Sequence, residues 1–128
     1  MQITHQNIHG QDPAFDPEAV LESLEGDSGL LLEIVGISLV QFPKHMEKIR
    51  ESIRKKDPKN LERAAHALKG AAGNLLARRI MNASSILEDM GGASSLEGAE
   101  KALVTLEEEL ERLQVELEEF KNEHSRHD

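Results

Sequence analysis

Apolar residues recur along this chain at steps of three and four, with polar residues between them. That spacing keeps one face of an α-helix apolar and the other wet, so the pattern predicts amphipathic helices. The first long stripe is Leu31, Ile34, Val35, Ser38, Phe42, Met46, Ile49 and Ile53. The second is Leu61, Ala65, Leu68, Ala72 and Leu75, and the third is Ile80, Ala83 or Ser84, and Leu87. The last is Leu103, Leu106, Leu110, Leu113, Leu117 and Phe120.

Local signals punctuate these stripes. Asp16-Pro17 and Asp57-Pro58 each offer a side-chain acceptor for the first turn and a proline that suits the first helical position. Asp27 or Ser28 can cap the helix between them. Gly26 and Gly91-Gly92 read as stops, and Ser94-Ser95-Leu96-Glu97 reads as a capping box. Pro43 lies inside the first long stripe, where a missing N–H and a clash with the preceding turn predict a kink or break. The expected elements are a short helix over 17–25 and longer ones over 28–56, 58–77, 79–91 and 95–122. Their short connections favour antiparallel neighbours. The expected fold is therefore all-α, an up-and-down antiparallel four-helix bundle with a short additional N-terminal helix. Residues 1–14 are polar and aperiodic, so they are expected to form a flexible tail, as are 123–128. That leaves 15–122 as one bundle domain. The last stripe also keeps the heptad spacing, so a coiled-coil dimer seam is the alternative to packing inside the bundle.

Composition narrows the chemistry. A chain of 128 residues fits one domain. There is no cysteine, which excludes disulfides, thiol nucleophiles and Cys-based zinc sites. No apolar run reaches membrane-spanning length and no signal pattern opens the chain, so a cytoplasmic protein without membrane insertion is expected. The net charge of −9 argues against nucleic-acid binding. Its distribution is uneven. Residues 1–43 hold seven acids and no Lys or Arg, residues 44–79 hold eleven Lys and Arg against four acids, and residues 80–128 hold thirteen acids against four bases. A basic middle between acidic ends suits an acidic protein partner or a phosphate; ordinary helix-surface charge is the plainer alternative.

That basic segment contains His66-Ala67-Leu68-Lys69-Gly70-Ala71-Ala72-Gly73-Asn74-Leu75-Leu76-Ala77. Two glycines inside a helix cost about 1 kcal/mol each relative to alanine, so something is expected to approach the backbone closely there. At about 100° per residue from Leu61, the apolar stripe stays within about 40° of zero, while His66 falls near 140°. Lys69 falls near 80°, Gly73 near 120°, Ala77 near 160° and Gly70 near 180° on the same wheel. His66 thus projects from the flank of the bundle among small residues with a lysine at its edge. An exposed imidazole is largely neutral near pH 7 and can attack a phosphoryl group in line. Lys69 can pair with phosphate oxygens, and Gly70 and Gly73 leave room for the group and its carrier. No P-loop, kinase-type glycine loop or magnesium-binding carboxylate motif is present, so the chain is expected to pass phosphate on and not to draw it from ATP.

At these residues the chain resembles the histidine phosphotransfer (HPt) domain family of two-component phosphorelays, whose pattern is close to H-x-L-K-G, small residues, then N-L-G-A. The order of elements around the motif is similar too: a capped short helix, a long helix bearing Phe42-Pro43, the motif helix, then Ile86-Leu87-Glu88. The resemblance covers roughly residues 15–122. It implies that His66 accepts a phosphoryl group from the phospho-aspartate of a receiver domain and passes it to another receiver, or back. It also implies that Lys69 steadies the phosphate, that Gly70 grants access and that magnesium belongs to the partner. Response-regulator receivers, and the receiver and kinase parts of a hybrid sensor histidine kinase, are the implied partners of a monomeric carrier with no intrinsic cofactor. Two positions depart from the pattern. Leu76 stands where the family often has glycine, in the turn after the motif helix. Glu88 stands where relatives often carry glutamine, and either accepts a hydrogen bond from the His66 ring or pairs with Arg78, Arg79 or Lys69.

Gly73 and Asn74 complete the supporting set. Arg63, Arg78 and Arg79 are candidate partner contacts, although Arg78 and Arg79 could instead neutralise the C-terminal dipole of the motif helix. His5 with His9, and His124 with His127, have the spacing of metal ligands but lack further ligands, so no metal site is expected. His45 is expected to be structural. The alternative to a phosphorelay carrier is a non-phosphorylated helical interaction module that dimerises through the 99–120 seam.

Overall fold

The computed structural model describes residues 13–125, and five helices account for most of them: α1 Pro17–Ser23, α2 Ser28–Arg54, α3 Pro58–Gly73, α4 Arg78–Gly92 and α5 Ala99–Ser125. Each long helix packs on its neighbours in the chain, and α5 closes the ring against α2. The described residues thus form an up-and-down four-helix bundle, with α1 resting on α2 and no strand among them. The helices begin where the caps predict. Asp16, Asp27 and Asp57 accept from the backbone N–H of Ala19, Leu30 and Asn60.

The apolar stripes meet in one core. Leu31, Val35, Phe42, Met46 and Ile49 of α2 face Leu61, Ala65, Leu68 and Ala72 of α3, Ile80 and Leu87 of α4, and Leu106, Leu110, Leu113 and Leu117 of α5. Full burial of each large aliphatic side chain contributes about 1.5–3 kcal/mol, so this shared core outweighs any local preference. It also takes up the heptad leucines of α5, which leaves the alternative dimer seam inside the monomer.

Several boundaries differ from the sequence expectation. Helix α2 runs through Pro43 without a break. Pro43 itself is exposed, while Phe42 and Met46 on either side are buried, so core packing holds the helix across the missing hydrogen bond. Helix α3 ends at Gly73, not 77. Ala77 is consequently buried at the N-cap of α4 and does not share the His66 face. Helix α4 ends at Gly92, where the glycine pair predicts a stop, with Ala93 as its C-cap. No capping box forms: Ser94 takes a left-handed conformation, Ser95 N–H donates to Met90 O at 3.0 Å, and α5 starts at Ala99. Helix α5 continues past 122 to Ser125. Residues 123–125 of the expected C-terminal tail are thus helical, while residues 1–12 and 126–128, with His5, His9 and His127, lie outside the described residues. Where the chain enters the described region, the Ala14 and Phe15 N–H groups donate to the Glu116 carboxylate at 3.1 and 2.8 Å. The Phe15 ring meets Phe120 edge-on at 5.4 Å.

One turn design recurs at the ends of α1 to α4. Gly26, Asp57, Ala77 and Ser95 each donate to the carbonyl five residues back, at 2.9, 2.9, 3.0 and 3.0 Å. The preceding residues Glu25, Lys56, Leu76 and Ser94 all have φ between 53° and 57°. This is the Schellman closure, which favours glycine at the left-handed position. The departure at Leu76 thereby has a physical meaning, because a leucine sits where L-residues are strained by about 1–2 kcal/mol. Leu76 is also about half exposed, so its side chain recovers little by burial. Leu76→Gly is expected to stabilise the fold by about 0.5–1 kcal/mol, read as a rise of a few degrees in Tm. An unchanged or lower Tm would show that the leucine side chain contributes more than its backbone costs.

Candidate functional site

Asp57 and Pro58 set the starting phase of α3, and that phase turns Leu61, Ala65, Leu68 and Ala72 into the core and His66 outward. The His66 side chain is 69% exposed. Gly70, one turn later, is exposed, and a Cβ built on it would meet nothing of the chain within 4 Å. A Cβ on Gly73 would make only an ordinary contact of 3.8 Å with the Met81 methyl. Packing within the chain therefore demands neither glycine, and the open surface beside His66 is free for another molecule.

Helix α4 supplies a carboxylate within hydrogen-bond distance of the histidine ring. Glu88 Oε2 lies 2.8 Å from His66 Nδ1, and Glu88 Oε1 lies 2.8 Å from Lys69 Nζ. The two roles that the sequence left open for Glu88 are thus filled together, with Lys69 and not Arg78 or Arg79 as its cation. Lys69 first, and then His66, hold the Glu88 carboxyl below its ordinary range against the opposing effect of burial. An ionised carboxylate only accepts hydrogen bonds, so in the neutral ring Nδ1 carries the proton and Nε2 keeps its lone pair. The arrangement presents a nucleophilic nitrogen on an open face, with its tautomer set from behind.

The remaining candidates divide by position. Arg63 is exposed on α3, one turn before His66. Arg78 is exposed at the start of α4. Arg79 is engaged within the bundle: its Nε and Nη2 donate to the Glu109 carboxylate of α5 at 2.7 and 2.9 Å, and Glu109 also pairs with Arg112 at 3.3 Å. Asn74 is the exposed C-cap of α3 and lies about two turns from His66. His45 is half-buried and lines a groove of about 530 Å³ between α2 and α3 with Lys48, Ser52, Asn60, Arg63 and Ala67. Burial, and then Lys48, push the His45 imidazole below its ordinary range. His124 stacks on Phe120 at 3.9 Å, at the end of α5. Among the described residues no cluster of His, Cys, Asp or Glu is arranged to hold a metal ion, and no helix is long and apolar enough to cross a membrane.

One supporting residue was not legible as such in the sequence. Gly91 is buried where α4 crosses the first turn of α3, and a Cβ there would sit 2.6 Å from both Glu62 N and Pro58 O. Glu62 precedes His66 by one turn and Gly91 follows Glu88 by one turn, so this crossing is the layer next to the His66–Glu88 pair. A Gly-Gly pair near a helix end carries the same signal as a helix stop, which hides its use as a contact.

A family model described as the Hpt domain matches residues 33–116. Among solved structures, the chain is similar to histidine-containing phosphotransfer protein B (HptB) from Pseudomonas aeruginosa PAO1. The TM-score is 0.81 at 15% sequence identity, covering 88% of this chain and 98% of that one. At that identity the likeness concerns the fold. No curated protein matches the chain.

Proposed function

The chain belongs to the Hpt domain family, and from that premise we propose that His66 is its phosphoacceptor. Hpt domains act in two-component phosphorelays as phosphohistidine carriers without kinase machinery of their own, working with receiver-domain proteins, and this chain has that role. The single observation that carries the assignment to His66 is its geometry. An exposed imidazole has Nδ1 held at 2.8 Å by a carboxylate, so Nε2 is left to attack. The lone pair of Nε2 forms the N–P bond while the bond between phosphorus and the receiver carboxylate oxygen breaks.

In this proposal Lys69 steadies the phosphoryl oxygens, which requires its ammonium to share or leave Glu88. Gly70 admits the receiver, Glu88 orients the ring, and Gly73 and Asn74 shape the end of the helix. Arg63 and Arg78 are exposed cations available to the acidic rim of a receiver; Arg79, already bonded to Glu109, is the weaker candidate. The working domain is the bundle over 15–122, acting as a monomer in the cytoplasm. Magnesium sits on the partner receiver, and the partners include response regulators and the receiver of a hybrid sensor kinase. Burial of the α5 leucines supports the monomer.

The test is transfer from a phosphorylated receiver, followed by detection of an acid-labile, base-stable phosphate mapped to residue 66. Absence of label with several competent receivers would remove the assignment. Gly70 offers a separate check. Gly70→Ala meets nothing in the chain, so it is expected to stabilise the helix by up to about 1 kcal/mol. The same methyl is expected to slow receiver-dependent transfer about tenfold, equivalent to about 1.4 kcal/mol of docking. Unchanged transfer kinetics in Gly70→Ala would show that the receiver does not approach over this glycine.

A further inference from the structure

Glu88 does something for the phosphorylated ring that a neutral side chain at the same position would not do. Its carboxylate is fixed, being only 19% exposed and held at once by Lys69 Nζ and His66 Nδ1 at 2.8 Å each. The ring it touches is open on the other side. A full negative charge therefore stands in line with the ring proton and opposite the nitrogen that would carry phosphate.

We propose that Glu88 keeps the proton on Nδ1 of phosphorylated His66, so that the ring always departs as neutral imidazole and onward transfer stays fast into the alkaline range. The inference rests on His66 being the phosphoacceptor. During loading no proton moves. The Nε2 lone pair becomes the N–P bond, the P–O bond of the donor breaks with its electrons leaving on the donor carboxylate, and the ring, still bearing Nδ1–H, becomes a cation. The Glu88 carboxylate balances that cation at hydrogen-bond distance. During unloading the N–P bond breaks and its electron pair returns to Nε2. A carboxylate oxygen of the acceptor receiver forms the new P–O bond, and the ring is again neutral with its proton on Nδ1. Loss of that proton in the phosphorylated state would force the ring to leave as an imidazolate anion, a much poorer leaving group. An amide at position 88 can accept the same hydrogen bond but supplies no charge, so it holds the proton only to lower pH.

The other charges near this pair do not replace Glu88. Lys69 of α3 shares the carboxylate and tempers its pull. Glu62 and Arg63 of α3 lie about one turn before His66, and Asp89 follows Glu88; all three are exposed to solvent, which screens them. On α5, Glu109 pairs with Arg79 of α4 and with Arg112, and Arg79 is more than two turns from Glu88.

The experiment loads the full-length wild type and E88Q with phosphoramidate, removes the donor and follows phosphate transfer to an unphosphorylated receiver domain between about pH 6 and pH 9. Taking the ratio of wild-type to E88Q rates cancels the receiver's own pH dependence. The ratio is expected to rise about tenfold across that range, with the alkaline fall-off of E88Q about one pH unit below that of wild type. The Nδ1 nitrogen-15 shift of phosphorylated His66 is expected to show the same displacement. A ratio constant with pH, or superimposable nitrogen-15 titrations, would overturn the inference and leave Glu88 as a positioning residue only. Mass spectrometry separates the two levels: phosphate at residue 66 with a flat ratio sinks this inference alone, and phosphate elsewhere sinks the phosphoacceptor assignment with it.

Discussion

His66→Gln is expected to abolish phosphate acceptance from a receiver, a loss of at least about a thousandfold, because the reacting atom itself is removed. Glutamine keeps a polar side chain and can still donate a hydrogen bond toward Glu88, but its amide nitrogen has no available lone pair. The change lies on an exposed face, so stability is expected to stay within about 0.5 kcal/mol of wild type. Helical circular dichroism and thermal melting check that, and radiolabel or phosphate-affinity gels read the transfer. His45 and His124 remain in the variant as internal controls. The first is half-buried on α2, and the second is stacked on Phe120 with its Nδ1 2.8 Å from Phe120 O. Continued acid-labile labelling of His66→Gln would point to one of the other histidines and would withdraw the role given to the α3 face.

Gly91→Ala is expected to be the most crowded of the Gly→Ala changes among the described residues. Its Cβ would stand 2.6 Å from Glu62 N and Pro58 O and 2.9 Å from Glu62 Cα, all backbone atoms in the first turn of α3. A flexible side chain could move aside, but a helix backbone moves only if the two helices part. Overpacking of this kind costs about 1–3 kcal/mol and sometimes more, which exceeds the gain of about 1 kcal/mol from replacing glycine by alanine in a helix. A net loss of about 2 kcal/mol and a Tm lower by roughly 10 °C are expected, measured by chemical and thermal unfolding. Because the crossing adjoins the His66–Glu88 layer, the same variant is expected to transfer phosphate more slowly even where it is folded. A Gly91→Ala protein as stable as wild type would mean that α3 and α4 can separate without penalty. The contrast with Gly70, where a methyl meets nothing, separates a glycine kept for packing from one kept for access.

Much of this protein is legible in the chain alone. The apolar stripes of α2 to α5, the starts at Pro17, Ser28 and Pro58, and the outward placement of His66, Lys69 and Gly70 all follow from the chain. Each depends on residues within a turn or two of one another, where a period of 3.6 and the chemistry of a capping aspartate act directly. The helix ends were harder. Leu76 and Ser94 adopt left-handed backbone with no glycine to announce it, and the capping-box pattern at Ser94 was used instead to close α4.

What the chain could not disclose are the distances between helices. Glu88 could be named as a partner for His66 or for a cation, but that one carboxylate serves both His66 and Lys69 at 2.8 Å depends on how closely α4 lies against α3. Arg79 looked available to a partner until its bidentate pairing with Glu109 of α5 appeared. Pro43 predicts a kink or break, but α2 continues through it with Phe42 and Met46 held in the core. Gly91 does lie at the end of α4, but only the packing shows the backbone of α3 against it. These are contacts between residues far apart in sequence, governed by close packing and not by period or propensity. The outward-facing histidine is a local property of α3, whereas the carboxylate behind it and the glycine crossing beside it exist only once the bundle has closed.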